Sequence, residues 1–190
     1  QLGRDVFSRM LYGSRISLSV GFVAVAISIL IGILVGALAG YYGGWVDSLL
    51  MRFVDIMICF PSFFLILTVV ALLGTSLLKV MFVSGITSWM GTSRFVRAEF
   101  LSFRERDFVQ AAQALGVKDL RIIFRHILPN ALAPVFVTAT LDVATAILVE
   151  AGLSFLGFGA QPPAPSWGNI LTEGRTYIFD AWWLTLFPGF

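Results

Sequence analysis

From Ile16 to Val46 the chain carries no Asp, Glu, Lys or Arg. A helix needs about 20 such residues to cross a hydrocarbon core of about 30 Å, whereas a helix on the surface of a soluble domain keeps a charged face. In lipid every backbone N–H and C=O must pair internally, which a helix does within one segment. The remaining composition agrees. Only 13% of the 190 residues are charged and 58% are hydrophobic, against about 25% charged in an ordinary globular domain. This excludes a water-surfaced enzyme, a disordered chain and a nucleic-acid binder. One cysteine, Cys59, permits no intrachain disulfide.

The expected architecture is an all-α polytopic membrane protein forming one transmembrane domain over residues 1–190. Leu18–Ala39 is the core of a first span. The charge-free run Ile56–Leu78 predicts a second over Val54–Leu73. A weaker third, Leu77–Ser93, is interrupted by Gly85, Thr87 and Ser88, which is tolerated where neighbouring helices shield the backbone. Ala131–Val149 is a fourth despite Asp142, and Trp182 begins a fifth. Seven of the 13 basic residues (Arg94, Arg97, Arg104, Arg106, Lys118, Arg121 and Arg125) lie between 94 and 125. Basic loops stay on the cytoplasmic side, so a loop over 94–130 is placed inside. Counting back three crossings puts residues 1–15 outside, against the pull of Arg4, Arg9 and Arg15. Gly40–Asp47 then forms an inner turn and Gly74–Ser76 an outer one, with Lys79 at the interface. Residues 152–180 form an outer loop. Gly157, Gly159, Pro162, Pro163 and Pro165 oppose a long helix there, Ser166 caps a short one, and Trp167 sits at the interface. That loop reads equally as a lid or docking surface and as a plain structural cap.

Ala24, Ser28, Gly32, Gly36 and Gly40 recur every four residues, a ridge of small side chains that lets another helix backbone approach. Helix packing is the favoured reading over a sliding surface. Among charges in or near spans, Asp142 is the expected buried one and a candidate for the translocation path. Arg52 and Asp55 are expected to pair, and Glu150 to order the outer loop.

The inner loop is the informative part. Asp107 is expected as an N-cap, with Gln110 completing a capping box. Phe108, Ala111, Ala112 and Leu115 share one face of the helix that follows, and Gly116 supplies a left-handed stop. In the next stretch Leu120, Ile123, Phe124 and Ile127 share a face opposite Arg121 and Arg125. Pro129 ends it and Asn130 caps the next span, with Pro134 in its first turn. The pattern reads as a rigid elbow joined to a membrane helix; the alternative is an amphipathic segment lying on headgroups. No G-x-x-x-x-G-K-[ST] phosphate loop occurs, and His126 has no metal-ligand neighbour at suitable spacing.

The run Gln110-Ala111-Ala112-Gln113-Ala114-Leu115-Gly116, followed by His126-Ile127-Leu128-Pro129, resembles the Glu-Ala-Ala loop of ABC importer permeases. Gln110 stands where Glu is usual and His126 where Ile is usual. Gly3–Arg9, Ala39–Gly44 with Asp47, Met51, Arg52, Asp55 and Pro61, Glu150–Gly157 and Gln161–Asn169 resemble the second permease subunit of the dipeptide, oligopeptide and nickel branch. The resemblance implies a type I importer helical bundle of a bacterial or archaeal inner membrane, lacking one span before residue 1 and cut in its last span. It implies a homologous permease partner, two cytoplasmic ATPase subunits that carry ATP and Mg, and an external binding protein. This chain is implied to hold no cofactor or metal and to perform no catalysis. Ala111, Ala112, Leu115, Gly116, Val117, Asp119 and Leu120 would dock an ATPase; Asp107, Gln110, His126 and Pro129 would shape the loop. Ala112→Glu is expected to insert normally yet uncouple ATP hydrolysis from uptake. Dipeptides, oligopeptides, glutathione and nickel chelates are all possible cargoes. The competing classes are a proton-coupled transporter or channel using Asp142 and Glu150, and a regulatory membrane subunit that moves nothing.

Overall fold

A computed structural model describes residues 5–160 and 164–189. The motif residues Gly3, Arg4 and Gln161–Pro163 lie outside that description. Among the described residues there are helices and no strand. They are α1 (Val6–Tyr42), α2 (Gly44–Ile58), α3 (Ser62–Leu73), α4 (Leu77–Arg104), α5 (Asp107–Ala114), α6 (Asp119–Arg121), a π-helical turn (Ile122–Ile127), α7 (Leu128–Phe155), α8 (Trp167–Arg175) and α9 (Trp183–Gly189).

Among the described residues, two continuous helices are long and apolar enough to cross a membrane, Val6–Tyr42 and Asp119–Phe155, and α2 with α3 makes a third candidate if the pair is one broken span. The second span is therefore not the single helix expected over Val54–Leu73. Pro61 has no N–H to continue the ladder and disfavours helical backbone at the residue before it, so the chain breaks between Ile58 and Ser62. The weak third segment is, in contrast, a longer helix than expected. It runs on to Arg104, because nothing between Ser93 and Arg104 breaks a helix and Arg94, Arg97 and Arg104 find partners. The inner connection accordingly shrinks from 94–130 to the elbow following Arg104. The outer connection likewise begins only after Phe155.

The chain forms two compact units. One comprises Gln1–Val25, Phe63–Gly85 and Asp142–Phe190; the other comprises Ala26–Ser62 and Ile86–Leu141. In the second unit, α1 packs on α4 through the small-residue ridge. A Cβ placed on Gly36 would meet the Ser93 carbonyl oxygen at 2.5 Å, and one on Gly40 would meet Phe100 Cβ at 2.5 Å. The ridge is a packing seam. Where α1 ends, Gly43 and Gly44 take φ of 63° and 50°, and Arg104 Nη1 donates to the Tyr41 carbonyl at 3.3 Å. The expected tight turn is present. Arg97 grips both carboxylate oxygens of Asp47 through Nε and Nη2, and these hydrogen bonds push its guanidinium above its usual value. Asp55 pairs with Arg94 rather than with Arg52. Both side chains are more than half exposed, so this pair contributes at most about 1 kcal/mol.

In the first unit, Asp5 caps α1 by accepting from the backbone N–H groups of Phe7 and Ser8 at 3.2 and 3.1 Å; its hydrogen bonds with Ser8 hold this carboxyl below the usual range. Gly74 turns between α3 and α4 with φ 82°, and Lys79 Nζ closes α3 by donating to the Leu73 and Gly74 carbonyls. Glu150, not Asp142, is the buried acid: it is 1% exposed, while Asp142 is half-buried. Ser17 Oγ donates to Glu150 Oε2 at 3.2 Å and Ser154 Oγ to Oε1 at 2.6 Å. With their hydrogens so committed, these hydroxyls accept on their other side, Ser17 from Trp167 N and Ser154 from Ala160 N, each at 3.3 Å. Glu150 thus orders the outer segment, as expected. Ser166 caps α8 by accepting from Asn169 N at 3.3 Å. Trp167 Nε1 donates to the Met10 carbonyl at 3.3 Å, so the indole is tied to α1.

Candidate functional site

The candidate site is the elbow built by α5, Gly116, α6 and the π turn. Its first helix starts one residue earlier than expected. Arg106, with extended backbone (φ −76°, ψ 146°), occupies the N-cap position and makes no side-chain cap bond. Asp107 is the first helical residue, where a carboxylate still favours the positive end of the helix dipole. Gln110 consequently sits too far along for a capping box. Its Nε2 donates instead to the Glu105 carbonyl at 3.2 Å, tying the helix start to the preceding turn.

The stop is a complete Schellman motif. Gly116 has φ 73°, Val117 N donates to Ala112 O at 3.1 Å, and Gly116 N donates to Gln113 O at 2.9 Å. These bonds satisfy two carbonyls that the helix end would otherwise orphan, and Val117 packs against the core to which Ala112 belongs. Gly116→Ala is expected to destabilise the folded chain by about 1 kcal/mol, since a Cβ is strained at this φ, although no atom lies within 4 Å. Thermal unfolding of the purified protein measures it.

The second half does not end at Pro129. Residues Asp119–Phe155 form one continuous helical run, in which Pro129 and Asn130 are early residues of α7. Pro129 brings no N–H, and the preceding turn is wound as a π-helix with i→i+5 pairing. Asn130 does not cap; its Nδ2 donates back to the His126 carbonyl at 2.7 Å. The wider turn also changes the buried face. Ile122, Ile123 and Ile127 are buried, whereas Leu120 and Phe124 are exposed. Ile122 escapes a 3.6-residue reading because its partner on the face is five residues away.

Val109, Ala112, Ile122, Ile123 and Ile127 join Ala37, Tyr41, Val96, Phe100, Ala131 and Val135 in one apolar core. Each fully buried aliphatic side chain of Val or Ile size contributes about 1.5–3 kcal/mol, so the elbow is anchored rather than hanging. A polar tie adds to this: Tyr41 Oη donates to Asp119 Oδ1 at 2.8 Å. His126 is half-buried. Among the described residues no group of three His, Cys, Asp or Glu gathers as a metal site.

The seven residues expected to dock a partner therefore divide. Ala111, Leu115, Gly116 and Leu120 face outward, with Leu115 84% exposed. Ala112 is buried and Val117 half-buried in the core, and Asp119 is engaged with Tyr41. Phe108 and Phe124 are exposed apolar residues of the same elbow. Ala112→Glu is no longer a clean uncoupling variant: it would place a carboxylate among Val109, Ile122 and Ile123.

Comparison with known proteins gives a consistent result. The family model for the binding-protein-dependent transport system inner membrane component matches residues 32–190. The chain is 50% identical to the dipeptide transport system permease protein DppC of Alkalihalophilus pseudofirmus, over 99% of its own length and 62% of that protein's. It is 43% identical to the di/tripeptide transport system permease protein DppC of Pseudomonas aeruginosa, over 100% of this chain and 62% of the relative. It is also 43% identical to the glutathione transport system permease protein GsiD of Escherichia coli, over 99% and 62%. The chain thus spans less than two thirds of the length of these relatives. Among solved structures, a chain of the MetNI methionine ABC transporter in inward-facing form superposes with a TM-score of 0.74 at 19% identity, covering 94% of this chain and 85% of that one. That likeness shows the fold.

Proposed function

Because the chain belongs to the binding-protein-dependent transport system inner membrane components, we propose that it is a permease subunit of an ATP-driven importer of di- or oligopeptides or related small solutes. It works beside a second, homologous permease, two cytoplasmic ATPase subunits that hold ATP and Mg, and an external binding protein that delivers the cargo. The permease itself is not an enzyme. Its part is to convert closure of the ATPases into a change of access across the bilayer.

The observation that carries this reading is the unbroken helical run from Asp119 through Phe155, with the elbow sealed to its root by Ile122, Ile123, Ile127 and Ala131. A force applied at Leu115, Gly116 and Leu120 meets a core rather than a loose loop, so it moves α7 instead of bending the connection. Leu115 and Leu120 supply apolar contact, and Gly116 lets a partner surface approach the turn. The exposed pair Phe108 and Phe124 flanks that contact.

Leu115→Asp is expected to leave folding unchanged, since an exposed substitution usually shifts stability by no more than about 0.5 kcal/mol. It should lower ATP-dependent uptake by the reconstituted transporter about tenfold or more, the cost of burying an unpaired charge at an interface. Co-purification of the ATPase subunits should fall in parallel. Undiminished uptake and co-purification by this variant would overturn the docking assignment. Uptake that survives collapse of the proton gradient but stops on ATP depletion separates this function from a proton-coupled carrier using Asp142 and Glu150.

A further inference from the structure

Near its start, α1 borders an open groove of about 360 Å³ lined by Ser8, Arg9, Tyr12, Arg15, Ile16 and Pro165. The two arginines differ in circumstance. Arg9 is matched within the chain: its Nη1 and Nη2 lie 2.5 and 2.9 Å from the Glu173 carboxylate. Arg15 is exposed and, among the described residues, has no ion-pair partner. It is also the last charge before the uncharged run Ile16–Val46, which places it where the helix passes from water into hydrocarbon.

The surface around Arg15 is apolar. Leu11, Leu18 and Phe22 are 58%, 39% and 62% exposed, and with Arg15 they fall at i, i+4, i+7 and i+11, one stripe of the helix. A long side chain on a helix leans toward the N-terminal turn. Toward that turn, Arg15 shares the lining of the groove with Ser8 and Tyr12. A cation at the headgroup level above an exposed apolar stripe is complementary to one kind of molecule. We propose that this surface holds one anionic phospholipid, its phosphate bound by Arg15 at the edge of the groove and an acyl chain lying along the exposed stripe of Leu18 and Phe22. The planar guanidinium fork matches two phosphate oxygens at once, and Tyr and Arg both favour the bilayer interface. Asp5, the acid nearest in sequence, does not compete for Arg15, because its carboxyl is engaged by the Phe7 and Ser8 N–H groups.

The site also gives partners to Arg9 and Arg15, two of the cations on the side of the membrane where the basic inner elbow predicts few. Arg9 is neutralised by Glu173, and the lipid phosphate neutralises Arg15. The inference requires only that α1 crosses the bilayer; it does not depend on the cargo or on coupling to ATPases.

The test uses the full-length transporter, purified in detergent and stripped of lipid, with native mass spectrometry as the readout. Phosphatidylglycerol, phosphatidylcholine and inorganic phosphate are added separately. The expected result is one phosphatidylglycerol retained per permease chain, phosphatidylcholine held about tenfold more weakly, and no displacement by millimolar phosphate. Arg15→Gln should weaken phosphatidylglycerol about tenfold, the scale of a lost charge-assisted hydrogen bond, bring it close to phosphatidylcholine, and leave thermal unfolding unchanged. Arg15→Lys, which keeps the charge without the fork, should fall between. Equal retention of both lipids, full retention by Arg15→Gln, or displacement by free phosphate would overturn the proposal. So would a cross-link from Tyr12 to protein preceding Gln1 or to the second permease, since the groove would then be filled by polypeptide.

Discussion

Gly36→Val should separate α1 from α4 and leave the second unit unable to close. A Cβ at this position lies 2.5 Å from the Ser93 carbonyl oxygen, 2.8 Å from Val96 Cβ and 3.0 Å from Arg97 N. Two of these three atoms are backbone, so no rotamer change relieves the overlap and the helices themselves must part. Overpacking usually costs about 1–3 kcal/mol; with the two extra methyl groups of valine the upper end, about 3 kcal/mol, is expected. The same movement would strain the Asp47–Arg97 pair, whose cation sits one residue beyond Val96. Denaturant unfolding in detergent measures the loss. Gly91→Ala is the matched control: it lies in the same helix partner, α4, without any atom within 4 Å of its Cβ. It should be neutral or stabilise by up to about 1 kcal/mol through helix propensity. If Gly36→Val unfolds no more readily than Gly91→Ala, the ridge is not a packing seam.

The second large effect belongs to Glu150. Removing its carboxyl leaves two buried hydroxyls, Ser17 and Ser154, without the acceptor they share. Each unsatisfied buried donor costs about 1–3 kcal/mol, so Glu150→Ala is expected to cost about 2–6 kcal/mol. The loss should concentrate in the outer segment, because it is Ser17 and Ser154 that receive the Trp167 and Ala160 N–H groups. Faster hydrogen exchange at Ala160 and through α8, with α5 and α4 unchanged, is the expected signature. Glu150→Gln keeps one acceptor oxygen but points an NH₂ group at a hydroxyl that is already donating. One serine must then turn its hydrogen away and lose the acceptor for it, so about half the effect is expected. Unaltered exchange in α8 for the alanine variant would show that the outer segment is held by other contacts. The close approach of Gly168 to Ala151, where a Cβ would meet the carbonyl oxygen at 2.7 Å, is the contact that would then have to suffice.

Several features were legible from residues alone, and they share a cause. The uncharged run of α1, the left-handed stop at Gly116, the Ser166 cap and the tight turn at Gly43–Gly44 each depend on bonds closed within a few residues. Chain neighbours suffice to determine such bonds. The four-residue ridge from Ala24 to Gly40 belongs here as well, since a helix already known to be long places those residues on one side.

The errors have the opposite character. Ala112 and Ala111 look equivalent on a helical wheel, yet only Ala112 is buried, because it joins Ile122 and Ile123 from the second half of the elbow in one apolar core. Asp55 has Arg52 at helical spacing but pairs with Arg94, thirty-nine positions along the chain. Glu150 rather than Asp142 is the enclosed acid because hydroxyls from α1 and α7 meet there. From its residues alone the chain determined what must enter lipid, where helices stop and how the elbow is punctuated. Which face each helix buries, and which partner each charge finds, was decided by side chains distant in sequence. Burial is a property of the whole assembly of helices, whereas a turn closes on its own few bonds.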